Sequence, residues 1–234
     1  MRFQDAARDG RAVVYAGIQA DPLVARAADV LLGATPAEAV LARAVMNGET
    51  TDADGWRAMF PTLFGDAGTD AGTDAGAADP VARDRAEAIL AVALEVAERG
   101  DQIRSQVRGA VVEELTARLL ASRVGAAAVR RERRILFDGV RAEIHPYDVT
   151  VERDDGAEAW DCKWGARGIG PDVLHQLDDA RGHAADEDEH LRIGLVVFDA
   201  RRSCAVRLAR ETAPHDGTEL VSIETLGTLA DPPR

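Results

Sequence analysis

The chain has 234 residues, 46% of them hydrophobic and 29% charged. That is enough for one large α/β domain, or one domain plus a smaller segment, and it excludes wholesale disorder. Lys+Arg 28 against Asp+Glu 41 gives a net charge of −13, which argues against a general nucleic-acid coat protein, because affinity for phosphate comes mainly from basic groups.

Two cysteines, Cys162 and Cys204, are too few for a disulfide framework or a four-thiolate zinc site. No stretch approaches the roughly 18 apolar residues of a membrane span, and the opening MRFQDAARDG lacks a basic-then-apolar signal pattern. A cytoplasmic chain with no membrane partner is therefore expected.

Residues 1–64 read as a helical N-terminal segment. One helix is expected from Pro22 to Leu32, ended by Gly33. A second starts at the capping box Thr35-Pro36-Ala37-Glu38, carries Val40, Leu41, Ala44 and Val45 at helical spacing, and stops at Asn47-Gly48. Residues 65–80 repeat Asp-Ala-Gly at a period of four, have no apolar face to bury, and read as a solvated linker. The remainder, 81–234, reads as the main domain. It opens with a helix closed by Gly100 and a second over 101–124, where Val107, Val111, Leu115 and Leu119 form a stripe and Gly125 ends it. The period then shifts towards two. Strands are expected at 128–137, 145–153 and 157–163, with Asp154-Asp155-Gly156 turning between the last two. A loop, GARGIGP, leads to a helix over 171–185. A doubly buried strand follows at 193–198, then a strand at 204–209 and a short one near 219–224. The order predicts a mixed α/β fold.

Charge is unevenly distributed. The window 101–170 holds twelve basic and twelve acidic residues, and within it 102–137 has eight arginines against Glu113, Glu114 and Glu132. Of the 28 basic residues, Lys163 is the only lysine. Arginine serves wherever a solvated positive charge suffices, whereas a compact ammonium on a flexible stem donates as a point charge. A single lysine in so arginine-biased a chain marks Lys163 for attention.

Its neighbours sharpen the point. Asp161 and Lys163 are i and i+2 on one strand and project to one face. A hairpin through Asp154–Gly156 brings Asp148, from the preceding strand, close to both. Two carboxylates converging with a lysine suit a hard divalent cation with an ammonium to orient or activate water, against charge developing on a phosphodiester. The helix over 101–124 offers Glu113, or its neighbour Glu114, from Gly109-Ala-Val-Val-Glu113. Downstream, Gln176 is placed to add a polar contact.

This set resembles the PD-(D/E)XK, or restriction-endonuclease-like, nuclease superfamily. Its motif reads here as Pro146-Tyr147-Asp148, with Asp161-Cys162-Lys163 beginning thirteen positions after Asp148. Tyr147 is an insertion relative to the written motif. The phrase GAVVEELTARLL at 109–120 looks like the glycine-to-glutamate helix that opens many members. The resemblance covers about 101–210. It implies a restriction-endonuclease-like core (helix, three-stranded meander, helix, strand, strand) preceded by the all-helical segment. It also implies a Mg²⁺- or Mn²⁺-dependent endonuclease acting on DNA, with RNA left open. Asp148 and Asp161 would be the metal ligands, Lys163 would position water, and Glu113, or less readily Glu114, would complete the site. The acidic charge implies help from a homo-oligomer or a protein partner, as in a multi-subunit defence or repair system. The alternative is a catalytically silent, acidic interaction subunit.

Structural readings of the same residues stay open. Asp148 and Asp161 also suit a solvated sheet face with Lys163 as their ion pair. Arg130, Arg131, Arg133 and Arg134 suit either a solvated strand face or phosphate contacts. Cys162 is expected as a small core residue on the opposite face, and Trp160 and Trp164 as packing residues. The five histidines show no metal-ligand spacing.

Overall fold

A computed structural model describes residues 1–6, 10–65, 80–138, 140–141, 145–210 and 218–232. The chain forms two compact units, Ile18–Val111 on the one hand and Met1–Gly17 with Val112–Arg234 on the other. The helix over 101–124 runs through both, so the division falls inside that helix rather than at residues 65–80. Of the expected linker, 66–79 lie outside the described residues.

In the order of the chain, strand β1 (Arg2–Asp5) precedes helices α1 (Gly10–Gln19), α2 (Pro22–Leu31), α3 (Pro36–Asn47), α4 (Ala53–Met59), α5 (Pro61–Phe64), α6 (Pro80–Ala97) and α7 (Asp101–Val124). The helical unit is built on α2, α3 and α6. Its helices start where side chains satisfy their exposed amides: Asp21 accepts from Leu23 N at 2.9 Å, and Thr35 and Glu38 form a reciprocal capping box. Leu23, Val24, Leu41, Val45, Ile89, Leu90 and Val96 are buried, one stripe per helix. Glu38 is also buried, and Arg85 Nε donates to its carboxylate at 2.7 Å. Burial opposes the charged form of Glu38, but Arg85 and the N–H and hydroxyl of Thr35 outweigh it and hold its pKa below the usual carboxylate value.

The second unit carries the sheet. After α7 come β2 (Val129–Phe137), β3 (Val140–Arg141), β4 (Tyr147–Arg153) and β5 (Gly156–Lys163). They are followed by α8 (Pro171–Asp186), β6 (Leu191–Val197), α9 (Arg201–Leu208) and β7 (Glu219–Val221). The order across the seven-stranded sheet is β1-β2-β4-β5-β6-β7, with β3 paired to β2. Strands β1 to β5 pair antiparallel, and β5, β6 and β7 pair parallel. The meander and the crossover through α8 follow the sequence reading.

Gly125, at φ 86, stops α7 in a conformation that a side chain disfavours. One face of the sheet packs on α8 through Ile135, Phe137, Tyr147, Ala159, Leu174, Leu177, Ile193 and Leu195. The alternate residues of β5 meet α7: Cys162 Sγ lies 3.5 Å from Thr116 Oγ1, and Arg123 donates to Glu158 at 2.5 Å. Glu158, only 3% exposed, also takes Arg192 at 3.3 Å and the Trp160 indole N–H at 3.2 Å. Arg123→Ala leaves that carboxylate short of its closest partner and is expected to cost about 3 kcal/mol in denaturant unfolding.

Two expectations fail. The N-terminal segment is not all helical, because Arg2–Asp5 pairs with Leu136–Arg133 at the sheet edge. The stretch 204–209 is not a strand: Arg201–Leu208 is a helix that buries Cys204, with Val206 exposed. The short strand expected near 219–224 is present as Glu219–Val221 and is followed by 3₁₀ turns over Ile223–Ala230. No helix among the described residues is long and apolar enough to cross a membrane.

Candidate active site

The hairpin between β4 and β5 fixes the site. Its register runs from Arg153↔Gly156 to Val149↔Trp160, and the next step of the same ladder would set Asp148 opposite Asp161. Pairing stops there. Asp148 Oδ2, in place of a backbone carbonyl, accepts the Cys162 N–H at 2.6 Å. The adjacent Glu132 in β2 has φ 53, so the ladder is distorted on that side as well. Asp148 therefore sits where β4 parts from β5, between the Arg131↔Val149 and Arg133↔Tyr147 pairs with β2, and its carboxyl reaches towards the end of β5.

The charges of Asp161 and Glu113 both act on the Asp148 carboxyl at this end of the hairpin. Burial, then the charges of Asp161 and Glu113, push the Asp148 carboxyl well above its ordinary pKa, and Lys163 only partly offsets them. Lys163 Nζ donates to Asp161 Oδ1 at 2.8 Å. Burial works against the ammonium of Lys163, but Asp161 and Asp148 outweigh it and hold its pKa above the ordinary lysine value. Lys163 is thus a cation at neutral pH and cannot take a proton in this state. The stem of Lys163 is enclosed by the loop after β5. A Cβ on Gly168 would lie 3.0 Å from Lys163 Cβ, Cγ and Cδ, so a side chain there would press on the lysine stem.

Glu113, 4% exposed on α7, accepts a hydrogen bond from the hydroxyl of Tyr15 on α1. Burial, then Glu113, push the Tyr15 phenol far above its ordinary pKa, so it remains a neutral donor. Cys162 is buried. Burial, then Asp148 and Glu113, raise its pKa well above the ordinary thiol value and keep it protonated.

Asp148, Asp161 and Lys163 are thus brought together, the charge of Glu113 acts on Asp148, and two other expected residues are placed elsewhere. Glu114 points to arginines, accepting from Arg118 at 2.6 Å and from Arg131. Its neighbour Glu113 takes the Tyr15 hydroxyl instead, because successive helix positions face different ways. Gln176 uses both ends of its amide on the main chain of His145, accepting from its N–H at 3.1 Å and donating to its carbonyl at 3.0 Å. It anchors the segment entering β4 and lies one step behind Asp148. Two of the β2 arginines are engaged by acids, Arg131 by Glu114 and Arg133 by Glu152 at 2.7 Å and by Asp5, while Arg130 donates to the carbonyl of Ala127 at 2.6 Å. Tyr15 escaped the sequence reading altogether, since it lies 98 positions from Glu113 and no spacing connects them.

Among the described residues no group of three or more His, Cys, Asp or Glu side chains is gathered to hold a metal ion. The close pair is Asp148 and Asp161, with Glu113 acting on Asp148 through its charge. Comparisons with protein-family models, with curated proteins and with solved structures returned no match to the chain.

Proposed function

We propose that this chain is a divalent-metal-dependent nuclease of the PD-(D/E)XK kind, hydrolysing phosphodiester bonds, with DNA as substrate. The observation that carries the reading is the placement of Asp148 and Asp161 at facing positions where the β4–β5 hairpin ends, with the chain's only lysine bonded to the second. Buried acids this close repel unless a proton or a cation lies between them. Carboxylate oxygens suit Mg²⁺ or Mn²⁺, and Mg²⁺ is commonly held by one or two carboxylates, with water and phosphate oxygens filling the remaining positions. Asp148 and Asp161 would hold such an ion, which supplies Lewis-acid stabilisation of charge on the phosphodiester.

The chain's own groups do the rest. Lys163 orients the attacking water and offsets negative charge as a fixed cation. Glu113 adds negative charge beside Asp148 and strengthens the pull on a cation. The order α7, β2, β4, β5, α8, β6 supports a restriction-endonuclease-like core.

A second reading, a silent acidic interaction subunit, draws on the net charge of −13 and on Arg131 and Arg133 of β2 being taken up by acids. Calorimetric titration with Mn²⁺ separates the two. The nuclease reading expects saturable heat that is lost in Asp148→Ala, together with Mg²⁺-dependent cutting of DNA. A titration with no specific heat and intact DNA would select the silent subunit.

A further inference from the structure

We infer that helix α9 and the turn after β5 form a contact surface for the phosphodiester backbone of DNA. The inference deepens the reading above and rests on it for the choice of polyanion, but it calls for no metal ion. In a chain of net charge −13, Asp199 and Glu211 bracket a stretch with four arginines and no acid: Arg201, Arg202, Arg207 and Arg210. Most of that stretch is α9, which follows β6 and is pinned to the core by buried Cys204. Arg202 and Val206, four positions apart, share the face away from Cys204, and Val206 is 51% exposed. Arg201 and Arg210 are exposed as well.

The turn Ala166–Gly168 after β5 adds the exposed Arg167. It is fastened to α9 from two sides. Arg207 Nε donates to the Ile169 carbonyl at 2.7 Å, and the Asp199 carboxylate accepts the N–H of Ala166 at 3.0 Å and that of Ala200 at 2.8 Å. Both elements leave from the carboxyl end of the parallel pair β5–β6, the end at which Lys163 stands. Ligands commonly bind outside the carboxyl ends of parallel strands. The flanking acids are engaged: Asp199 by those amides, and Glu224 by the Arg201 N–H at 2.9 Å and the Ser222 hydroxyl at 2.7 Å. Among the described residues no ion pair involves Arg167, Arg202 or Arg210, in contrast to Arg131 and Arg133 of β2. A forked, permanently charged guanidinium matches the oxygens of a phosphate, and each phosphate it neutralises releases a counterion.

The test is binding of a labelled DNA duplex to the full chain in chelator, followed by fluorescence anisotropy over a salt series. Wild type is compared with the triple variant Arg167→Gln, Arg202→Gln, Arg210→Gln. A control triple variant, Arg26→Gln, Arg99→Gln, Arg153→Gln, removes the same charge from arginines already paired with Glu95, Asp21 and Asp155. Thermal melts show that each variant is folded. The first variant is expected to bind about tenfold or more weakly at low salt, with the slope of log Kd against log salt reduced by about one per arginine. The control keeps the wild-type slope. Wild-type affinity in the first variant, equal weakening in both, or wild-type binding of polyglutamate as tight as that of DNA would each overturn the inference. A wild type that binds no DNA in chelator would overturn it too, and Mg²⁺-dependent cutting would then leave the nuclease reading standing. Binding that follows these arginines in a chain that never cuts DNA would keep the surface and end the nuclease reading.

Discussion

Asp161→Ala and Lys163→Ala are each expected to lower Mg²⁺-dependent DNA cleavage by about a hundredfold or more, the usual loss when one preorganised charge is removed from a reacting centre. Lys163→Arg is expected to fare little better. The lysine stem runs so close to Gly168 that a Cβ added there would stand 3.0 Å from three of its carbons, and its ammonium meets Asp161 as a single point at 2.8 Å. A planar, forked guanidinium presents its donors differently and needs more width. Cleavage assays on supercoiled DNA, with melting curves to show that each variant is folded, check this. Undiminished cutting by both alanine variants would end the site assignment.

The second large effect has the opposite sign in stability. Asp148→Asn is expected to abolish cleavage and also to stabilise the metal-free chain at neutral pH. Asparagine keeps an oxygen for the Cys162 N–H that Asp148 Oδ2 accepts, and it removes a charge that Asp161 and Glu113 oppose. The Asp148 pKa is raised on folding, so the native state keeps a proton that the unfolded chain gives up. Its contribution to stability is therefore complete below the ordinary aspartate pKa and is lost as pH rises towards the raised value. Metal-free wild type should lose stability on going from about pH 4 upward, and Asp148→Asn should lose less. At pH 7 in chelator the variant is expected to melt about 3 °C or more above wild type, the shift that about 1 kcal/mol brings in a chain of this size. Mg²⁺ should raise the wild-type melting temperature and leave the variant unmoved. A variant that melts below wild type in chelator would contradict the reading of Asp148 as a strained acid.

The parts of this arrangement that were legible in the sequence are those set by local chemistry. Helix α7 declared itself by its apolar stripe and its flanking glycines. The β4–β5 hairpin did so by Asp154-Asp155-Gly156, and from that turn alone Asp148 was expected near Asp161 and Lys163. What escaped depends on distant partners. Strand β1 has only four residues, and its pairing to Arg133–Leu136 spans most of the chain. Helix α9 was misread because Cys204, Val206 and Leu208 alternate like a strand. In the fold Cys204 is buried, Leu208 packs at the edge of the same core and Val206 faces outward, so the operative spacing is four. Glu113 and Glu114 could not be told apart until Arg118 and Arg131 were seen to engage the second. Gln176 was expected beside the acids, and its polar character was read correctly, but both ends of its amide hold His145. Tyr15 carried no signal, because nothing in an N-terminal helix announces contact with a carboxylate 98 residues later.

The most direct measurement is a crystal structure of the chain soaked in Mn²⁺, read by anomalous scattering. A peak bound by oxygens of both Asp148 and Asp161, at about the 2.0–2.4 Å expected for such an ion and its carboxylates, is the expected result. A soaked crystal with no peak there, and with Lys163 still bonded to Asp161, would mean that these residues form buried acids with a counter-ion and no centre for hydrolysis.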